Sequence, residues 1–210
     1  THASVCKITE FLPSFAGLQF ETEVNALKKV TIEIKKPITC IIGGSKISTK
    51  IDIIKNLIPK FNNIIFVGGM ANNILSFKGN RIGKSICEEN CESVIKEIFE
   101  ISKNQLCEIT YPDDVLVSKS TDGDAQIKDL GDIADDDLIL DLGPKTLKKI
   151  KNIIENSKSV LWNGPAGYFE NPNFANGSFE IAKTIIKKNK DNSIYSVVGG
   201  GDTVAVVNQL

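Results

Sequence analysis

Residues 38–44 read ITCIIGG, a short unbroken apolar run that ends in two glycines. Four later runs have the same form and end in glycine, and with their turns they occupy residues 64–69, 138–144, 159–165 and 194–201. The runs are β-branched or aliphatic and do not alternate with polar residues, which is typical of strands buried on both faces of a parallel sheet. We therefore expect five such strands.

Helical patterns separate these runs. Apolar residues recur at helical spacing within residues 50–58, 92–101, 146–155 and 179–187. Strands that alternate with glycine turns and helices are typical of βαβ units, so the sequence predicts an α/β fold with three αβα layers and a doubly wound, mainly parallel, Rossmann-like sheet. Residues 114–118 add a strand-like run, and the acidic residues 120–137 are expected to form an excursion on the surface.

Residues 1–18 do not continue this pattern. Residues 11–17 read FLPSFAG, which is typical of an extended connector, and a helical pattern begins near Leu18. A connector at this position suits a chain that follows on from another domain.

The charge balance excludes several classes of protein. The 210 residues carry 25 basic and 26 acidic side chains, a formal net charge of −1, so no bulk field draws the chain to nucleic acid or to an anionic membrane. No apolar run is long enough to cross a bilayer, and residues 1–11 lack the regions of a signal peptide. We expect a soluble intracellular protein without nucleic-acid or membrane partners.

The cysteines indicate reduced thiols rather than a disulfide framework. They are Cys6, Cys40, Cys87, Cys91 and Cys107. Their number is odd, and Cys40 lies inside an apolar run, as a small core residue would. Cys87 and Cys91 are the close pair, and because His2 is the one histidine, a zinc site would need thiolates alone. A metal held by the cysteines is therefore disfavoured.

Polar side chains accompany the glycine turns, and they are Lys46, Lys50, Asn163, Glu170, Asp202 and Thr203. The carboxyl ends of parallel strands share one edge, where open α/β sheets bind ligands. Each glycine alone is explained by a tight turn, but five on one edge favour a site. Lys46 and Lys50, at helical spacing, are either solvated lysines or phosphate ligands. Asp202 either caps the following helix or holds Mg²⁺ at nucleotide phosphates.

Three other kinds of site are disfavoured by the same residues. The sequence from Gly43 to Lys46 has the wrong spacing for a P-loop, and the block GGGD at residues 199–202 is not the G-x-G-x-x-G of a dinucleotide fold. His2 is terminal and alone, so a Ser-His-Asp triad has no credible base.

The glycine blocks, taken in order, resemble the phosphoglycerate kinase family. The matching blocks are GGSKISTK (43–50), GGMA (68–71), LDLGP (140–144), VLWNGPAGYFE (160–170) and GGGDT (199–203), with HAS (2–4) and EFLPSFAG (10–17) before them. The resemblance covers the whole chain. It implies that residues 1–18 are the end of the N-terminal lobe and the hinge segment, and that residues 19–210 are the nucleotide-binding C-terminal lobe, incomplete at its C-terminal end.

The resemblance also implies an activity. Phosphoglycerate kinases are two-lobed cytoplasmic enzymes of glycolysis that transfer a phosphoryl group between 1,3-bisphosphoglycerate and ADP, giving 3-phosphoglycerate and ATP. They use Mg²⁺ with the nucleotide, and hinge closure joins the lobes. Phosphoglycerate would bind through the missing N-terminal lobe, and a monomer is expected. Such a transfer requires positioning and charge stabilisation more than covalent chemistry.

Carried over residue by residue, the resemblance implies catalytic roles for two lysines and two glycines. Lys50 would contact the transferring phosphate and stabilise its charge, and Lys46 would lie close by in the closed state. The amides of Gly199 and Gly200 would face the same phosphates.

It also implies a nucleotide site in which Gly69 lines the adenine pocket and Asn163 and Glu170 hold phosphate and ribose. Asp202 would serve the magnesium ion, and Thr203 would face the phosphates. The full set implied for nucleotide binding is Lys46, Lys50, Gly69, Asn163, Glu170, Gly199, Gly200, Gly201, Asp202 and Thr203.

One departure from the family concerns Ile139, which stands where the family usually has glycine beside the adenine, so a shallower pocket is expected. Two alternatives to a complete kinase stay open. The chain by itself is a module that binds Mg-nucleotide without turnover, or it is a dinucleotide-binding oxidoreductase domain on the same type of sheet, against which the missing G-x-G-x-x-G counts.

Overall fold

The computed structural model of the chain describes residues 7–31 and 35–210. Its strands are β1 (Ile38–Ile42), β2 (Asn63–Phe66), β3 (Glu108–Thr110), β4 (Asp114–Ser118), β5 (Gln126–Asp129), β6 (Leu138–Leu142), β7 (Ser159–Asn163) and β8 (Tyr195–Gly199). Its α-helices are α1 (Leu18–Thr31), α2 (Ile51–Leu57), α3 (Gly68–Phe77), α4 (Glu92–Asn104), α5 (Pro144–Glu155), α6 (Asn176–Lys190) and α7 (Gly201–Asn208). Short 3-10 helices span Ile8–Glu10, Ser48–Lys50, Leu130–Asp132 and Pro172–Phe174.

Five parallel strands form the central sheet, in the order β3-β2-β1-β7-β8. The middle strand is β1, and its register places Ile42 beside Phe66 on one side and beside Asn163 on the other. All five residues of β1 are buried, as expected for a strand that is covered on both faces. The chain winds outward from β1 in both directions, so the predicted doubly wound α/β fold is confirmed.

Helices cover both faces of this sheet. One buried cluster contains Ile54 of α2 and Ile98 of α4, and the other contains Ile150 of α5 and Ile181 of α6, packed with the fully buried Trp162 of β7. Each helix therefore turns its apolar stripe towards the sheet, which is what the helical spacing of these residues predicts. The result is the three-layer arrangement expected from the sequence.

The prediction that residues 138–142 belong to the parallel sheet is wrong. They form β6, an edge strand of a separate antiparallel sheet whose order is β5-β4-β6. An unbroken apolar run shows that a strand is substantially covered, but it does not show which strands pair with it. Here β6 pairs with β4, with a register shift between Leu116 and Val117. The glycine turn after β6 is therefore not part of the edge formed by the turns after β1, β2, β7 and β8.

The turn at Gly143 is held by Asp114 of β4 and leads into helix α5. The backbone N–H of Gly143 donates to the carbonyl oxygen of Asp114 at 3.0 Å. The buried Asp114 carboxylate accepts hydrogen bonds from the N–H groups of Lys145 and Thr146, at 3.0 and 2.8 Å. These two N–H groups are among those left without partners at the start of a helix, so Asp114 caps α5 from a neighbouring strand.

Several shorter elements were not predicted. Helix α3 begins on the glycine pair Gly68–Gly69 and buries Asn72 and Asn73, so its apolar pattern is weak. Strand β3 has only three residues, and β5 lies within the acidic segment of residues 120–137, which otherwise is mostly exposed, as expected.

The predicted connector is described in part, because residues 1–6 lie outside the described residues. Residues 7–17 are exposed, and helix α1 lies against β8 and β7, with Nζ of Lys29 5.7 Å from the ring centroid of Tyr195. Large apolar side chains of this region face outward, among them Phe15 and Leu18. Among the described helices none is long and apolar enough to cross a membrane.

Candidate functional site

The turns that follow β1, β2 and β7 are joined to one another by backbone hydrogen bonds. Gly43 N–H donates to the carbonyl oxygen of Asn163 at 2.8 Å, and Met70 N–H donates to that of Gly44 at 2.7 Å. A Cβ atom on Gly43 would lie 2.6 Å from the carbonyl oxygen of Pro165. Only glycine fits such an approach of two backbones, so the glycine pairs here have a structural cause besides the turn itself.

A cavity of about 480 Å³ opens beside these turns. Its volume is in the range of small-molecule sites. Its walls come from the start of α3, from β6, from the segment of residues 85–86 and from the segment of residues 165–170. Gly69, Glu170 and Ile139 are all among the lining residues, so the cavity stays open with isoleucine at position 139.

Lys50 reaches back across the turn that precedes it. Its Nζ donates to the carbonyl oxygen of Gly43 at 2.9 Å and to Oδ1 of Asn163 at 3.0 Å. Burial lowers the pKa of the Lys50 ammonium group, because desolvation disfavours its charged form. Among the described residues no carboxylate pairs with it, so the cation faces only neutral acceptors.

The last glycine block starts a helix at the same edge. Gly200 has φ +88°, and helix α7 begins at Gly201, so its first N–H groups face the edge. The Nδ2 atom of Asn163 lies against Gly199 and Gly200, while its Oδ1 receives Lys50. We call Lys50, Asn163 and residues 199–203 the charged edge.

Asp202 and Thr203 have different surroundings within this edge. The exposed carboxylate of Asp202 lies in the first turn of α7, with no hydrogen-bond or ion-pair partner among the described residues, and it does not cap the helix, whose N-cap is Gly200. Thr203 is fully buried, and its Oγ1 accepts a hydrogen bond from Gly164 N–H at 2.7 Å. In this structure the Thr203 hydroxyl therefore joins two turns.

The expected helical pairing of Lys46 with Lys50 is wrong. Lys46 is exposed in a loop, Lys50 ends the 3-10 helix Ser48–Lys50, and helix α2 starts only at Ile51. A spacing of four puts two side chains on one face only within an α-helix. Lys46 lies instead near Glu88, where its charge helps to lower the pKa of that carboxylate, after the larger effect of hydrogen bonds from Ser48.

Asp141 of β6 carries a carboxyl group buried behind the cavity wall. Its Oδ2 accepts a hydrogen bond from Gly177 N–H at 2.7 Å, and its Oδ1 has no partner among the described residues. Desolvation raises the pKa of this carboxyl group to about 7. A Cβ atom on Gly167 or Gly177 would lie within 2.5 Å of Oδ1, so the carboxyl group packs directly between the cavity segment and the start of α6.

Several cavity residues were not foreseen. Asn72, Ser85 and Ile86 line the cavity, although none belongs to a glycine block. They are placed by hydrogen bonds: Asn72 Nδ2 donates to the carbonyl oxygen of Ile86 at 3.1 Å, and Ile139 N–H donates to Oγ of Ser85 at 2.8 Å. Only Asn72 is close enough in sequence to Gly68–Gly69 for that glycine pair to have drawn attention to it.

The fold and these turns define an open α/β protein with a cavity of small-molecule size. At the carboxyl ends of its strands it has an edge with a lysine that lacks a carboxylate partner among the described residues and with helix N–H groups, which is the chemistry that suits an anion. The family model described as "Phosphoglycerate kinase" matches residues 1–210. The chain belongs to the phosphoglycerate kinase family.

Similar proteins agree with this assignment. A phosphoglycerate kinase of a Wolbachia from Brugia malayi is 40% identical over 208 residues, which are 99% of this chain and 52% of that protein. The solved phosphoglycerate kinase of Coxiella burnetii superimposes with a TM-score of 0.86 at 33% identity, over 92% of this chain and 50% of that one. The solved phosphoglycerate kinase of Pyrococcus horikoshii OT3 superimposes with a TM-score of 0.79 at 25% identity, over 98% of this chain and 52% of that one. The chain thus spans about half the length of these relatives.

The phosphoglycerate kinase family implies a magnesium ion at the nucleotide site. In the described part of the chain, no group of three or more His, Cys, Asp or Glu side chains is arranged so that it could hold a metal ion by itself. Mg²⁺ in phosphate-transfer sites takes one or two carboxylates and completes its shell with phosphate oxygens and water. The exposed, unpaired Asp202 beside the start of α7 fits this requirement for a single carboxylate.

Proposed function

We propose that this chain is the nucleotide-binding lobe of a phosphoglycerate kinase, which transfers a phosphoryl group between 1,3-bisphosphoglycerate and ADP and gives 3-phosphoglycerate and ATP. The observation that carries the proposal is Lys50, held by Gly43 and Asn163 beside the start of α7 and next to the cavity. A cation without a counterion, together with free helix N–H groups, suits the phosphates of a nucleotide.

The cavity and the charged edge divide the nucleotide between them in this proposal. The base would enter the cavity between Gly69 and Ile139, and the ribose would reach Glu170 at its rim. The phosphates would lie along the charged edge, where Asn163 contacts them and the N–H groups of residues 199–203 donate to them. Asp202 would hold Mg²⁺, which when bound neutralises phosphate charge.

The residues of the charged edge would then act by position and charge. Lys50 would exchange its acceptors on Gly43 and Asn163 for an oxygen of the transferring phosphoryl group, with Lys46 close by in the closed enzyme. Because the fold already holds the ammonium group at this edge, only its hydrogen-bond acceptors change, and it stabilises developing charge efficiently. Residues 1–18 would form the end of the other lobe and the hinge, and phosphoglycerate would bind to that lobe.

The wider setting is part of the same proposal. We place the enzyme in glycolysis, in the cytoplasm and as a monomer, and we expect this chain alone to bind Mg-nucleotide without turnover. Membership in the phosphoglycerate kinase family argues against the dinucleotide-binding alternative, which already lacked its glycine motif.

Titration calorimetry of Mg-ADP against the folded chain tests the proposal, with NAD as the parallel titrant. We expect Mg-ADP to bind and NAD not to bind. Asp202→Ala should weaken Mg-ADP binding by about tenfold or more, because a metal ligand is lost. Asp191→Ala is the matched control, since Asp191 is also exposed but follows α6 at the opposite end of β8.

Two results would contradict the proposal. Binding of NAD in place of Mg-ADP would return the chain to the oxidoreductase class. Equal loss of Mg-ADP affinity in the Asp202 and Asp191 variants would show that the metal is held elsewhere. Folding of each variant is checked by circular dichroism before titration.

A further inference from the structure

Two thiols lie together behind the cavity. The Sγ atoms of Cys87 and Cys91 are 3.4 and 3.6 Å from Oδ1 of Asn73. They are also 3.8 and 3.2 Å from the carbonyl oxygen of Glu88. Because two sulfur atoms share two acceptor atoms, they are neighbours across the short turn that Asn90, with φ +58°, allows.

The two thiols differ in their access to solvent. Cys87 is exposed, whereas Cys91 is 5% exposed. The described cysteines elsewhere, Cys40 and Cys107, are 1% and 5% exposed within the core. An oxidant in solution therefore meets Cys87 first and finds Cys91 directly behind it.

We propose that Cys87 and Cys91 form an oxidation site that a peroxide converts to a disulfide, and that this disulfide weakens nucleotide binding in the adjacent cavity. The Cys87 thiolate attacks hydrogen peroxide, the O–O bond breaks, and the products are a sulfenic acid at Cys87 and hydroxide. The Cys91 thiol then attacks the Cys87 sulfur, and the S–O bond breaks with release of water. The two thiols lose two electrons in total, and the peroxide is reduced by two.

The segment of residues 85–91 connects this pair to the nucleotide site. Ile86 lines the cavity, and its carbonyl oxygen is held by Asn72. The carboxylate of Glu88 accepts hydrogen bonds from the Ser48 N–H at 3.0 Å and from the Ser48 hydroxyl. Ser48 starts the 3-10 helix that ends at Lys50. Movement of this segment would therefore shift the cavity wall at Ile86 and the 3-10 helix that ends at Lys50, which we call the lysine turn.

Glu88 stands between the two cysteines, so closure of the disulfide acts on it directly. Its N–H donates to Oδ1 of Asn73 at 2.6 Å, the same atom that receives both thiols. A disulfide removes both S–H donors from Asn73 and shortens the span across Glu88. We expect the Glu88 carboxylate to leave Ser48, and the segment to withdraw from the cavity.

The surroundings of the thiols set the conditions for the reaction. Although Cys87 as a residue is exposed, partial desolvation of both sulfur atoms raises the pKa of both thiols. The neighbouring Cys87 raises the pKa of Cys91 further, the carboxylates of Glu92 and Glu88 raise both, and a hydrogen bond with Ser76 opposes the shift at Cys87. Because the thiolate is the species that reacts, oxidation is slow at neutral pH and faster in alkaline solution. The reaction is therefore run at about pH 8.5, close to the ordinary pKa of a thiol.

The test uses the Cys6→Ser chain, because this substitution removes the one cysteine outside the described residues. The chain is treated with hydrogen peroxide. Peptide mapping under non-reducing conditions should find a Cys87–Cys91 disulfide, with Cys40 and Cys107 still reduced. Hydrogen exchange at the Ser48 amide should become faster. The Kd for Mg-ADP should rise about fivefold or more, a typical coupling between neighbouring sites, and dithiothreitol should restore it. Cys91→Ser is the matched control and should show none of these changes.

The outcomes separate this inference from the proposed function on which its affinity effect rests. Sulfinic acid at Cys87 without a disulfide would overturn the oxidation site. A disulfide that leaves the Ser48 exchange rate and the Kd unchanged would overturn its coupling to the cavity. If the reduced chain does not bind Mg-ADP, the proposed function fails. Disulfide formation and the exchange rate of the Ser48 amide would still decide whether oxidation of the thiols acts on the lysine turn that carries Lys50.

Discussion

The cavity and the charged edge are built in different ways. The cavity has walls from β6 of the antiparallel sheet, from turns that follow strands of the five-stranded sheet and from residues 85–86, and side chains such as Ile139 line it. The charged edge is built from turns of the five-stranded sheet and from the start of α7, where backbone groups hydrogen-bond to one another and Lys50 supplies the positive charge. A substitution in a wall of side chains removes only part of the contact area. A substitution in a glycine turn or of a single cation removes the whole interaction. We therefore expect substitutions to have graded effects in the cavity and severe effects at the edge.

The largest effect should come from the charge itself. Lys50→Ala, in the proposed kinase that would contain this lobe, should lower kcat/KM by about 10²- to 10⁵-fold, the range for groups that stabilise transition-state charge. The rate of ATP formation from 1,3-bisphosphoglycerate measures it. Lys60→Ala removes an exposed lysine next to α2 and should have no effect. Turnover near that of the wild type in Lys50→Ala would remove this lysine from the mechanism.

The next effect should come from the backbone of the edge. Gly164 has φ +103°, and a Cβ atom there would lie 2.6 Å from the backbone of Gly43. Gly164→Ala should therefore lower the free energy of unfolding by about 2–4 kcal/mol, measured in urea. Gly201→Ala is the matched control on the same edge, because its Cβ would meet nothing within 4 Å. Equal stability of the two variants would show that the turns yield more easily than their packing indicates.

A third prediction concerns the buried carboxyl group behind the cavity. The pKa of Asp141 is about 7 in the folded chain and about 3.9 for an unfolded aspartate. The folded state thus binds this proton more tightly, so the stabilisation is complete below about pH 4 and is lost as the pH rises through 7. Between pH 5 and pH 8 the wild type should lose roughly 2–3 kcal/mol of unfolding free energy relative to Asp141→Asn.

Asp137→Asn is the control for this pH dependence. Although burial alone would raise the pKa of Asp137, hydrogen bonds from Lys119 and Lys128 hold it below its usual range. Its carboxylate stays ionised from pH 5 to pH 8, so the difference between wild type and Asp137→Asn should be constant there. A constant difference for Asp141→Asn as well would mean that the Asp141 carboxyl group does not titrate in this range.

The smallest effect should come from the cavity wall. Ile139→Ala should weaken Mg-ADP binding by about five- to tenfold, because it removes the apolar contact proposed for the base from one side of a pocket that remains intact. Titration calorimetry measures it, with Ile127→Ala as the control, since Ile127 is 62% exposed on β5. Tighter binding in Ile139→Ala would show that isoleucine obstructs the pocket rather than lining it.

Sequence reasoning succeeded where a single physical cause acts along the chain. Burial on both faces makes β1, β2 and β7 continuous apolar runs, and the half-buried edge strand β8 has the same pattern. All four were placed correctly in the parallel sheet. The run of β6 looks the same, because an apolar strand in an antiparallel sheet under a helix can also be unbroken. The partner of β6 is β4, and this pairing depends on tertiary contacts that the periodicity of a single segment does not predict.

The same limit applies to the candidate site. The glycine blocks led to Lys50, Asn163 and residues 199–203 because close backbone contacts require glycine. The spacing of Lys46 and Lys50 was misleading, since a 3-10 helix intervenes before α2. Ile86 and Ser85 reach the cavity through hydrogen bonds to distant residues, and no pattern in their own neighbourhood announces such contacts.

The backbone links between the turns also bear on how the chain acquires its site during synthesis. The turn after β1 is held by Asn163 and Lys50, and the turn after β7 is held in its place by Thr203 of α7. Contacts between segments so distant in the sequence form late, after the loops between them have closed. A nascent chain that has released β1 but not β7 from the ribosome would carry a Lys50 without its Asn163 acceptor, so the lysine would have no fixed position and nucleotide could not assist these early steps of folding.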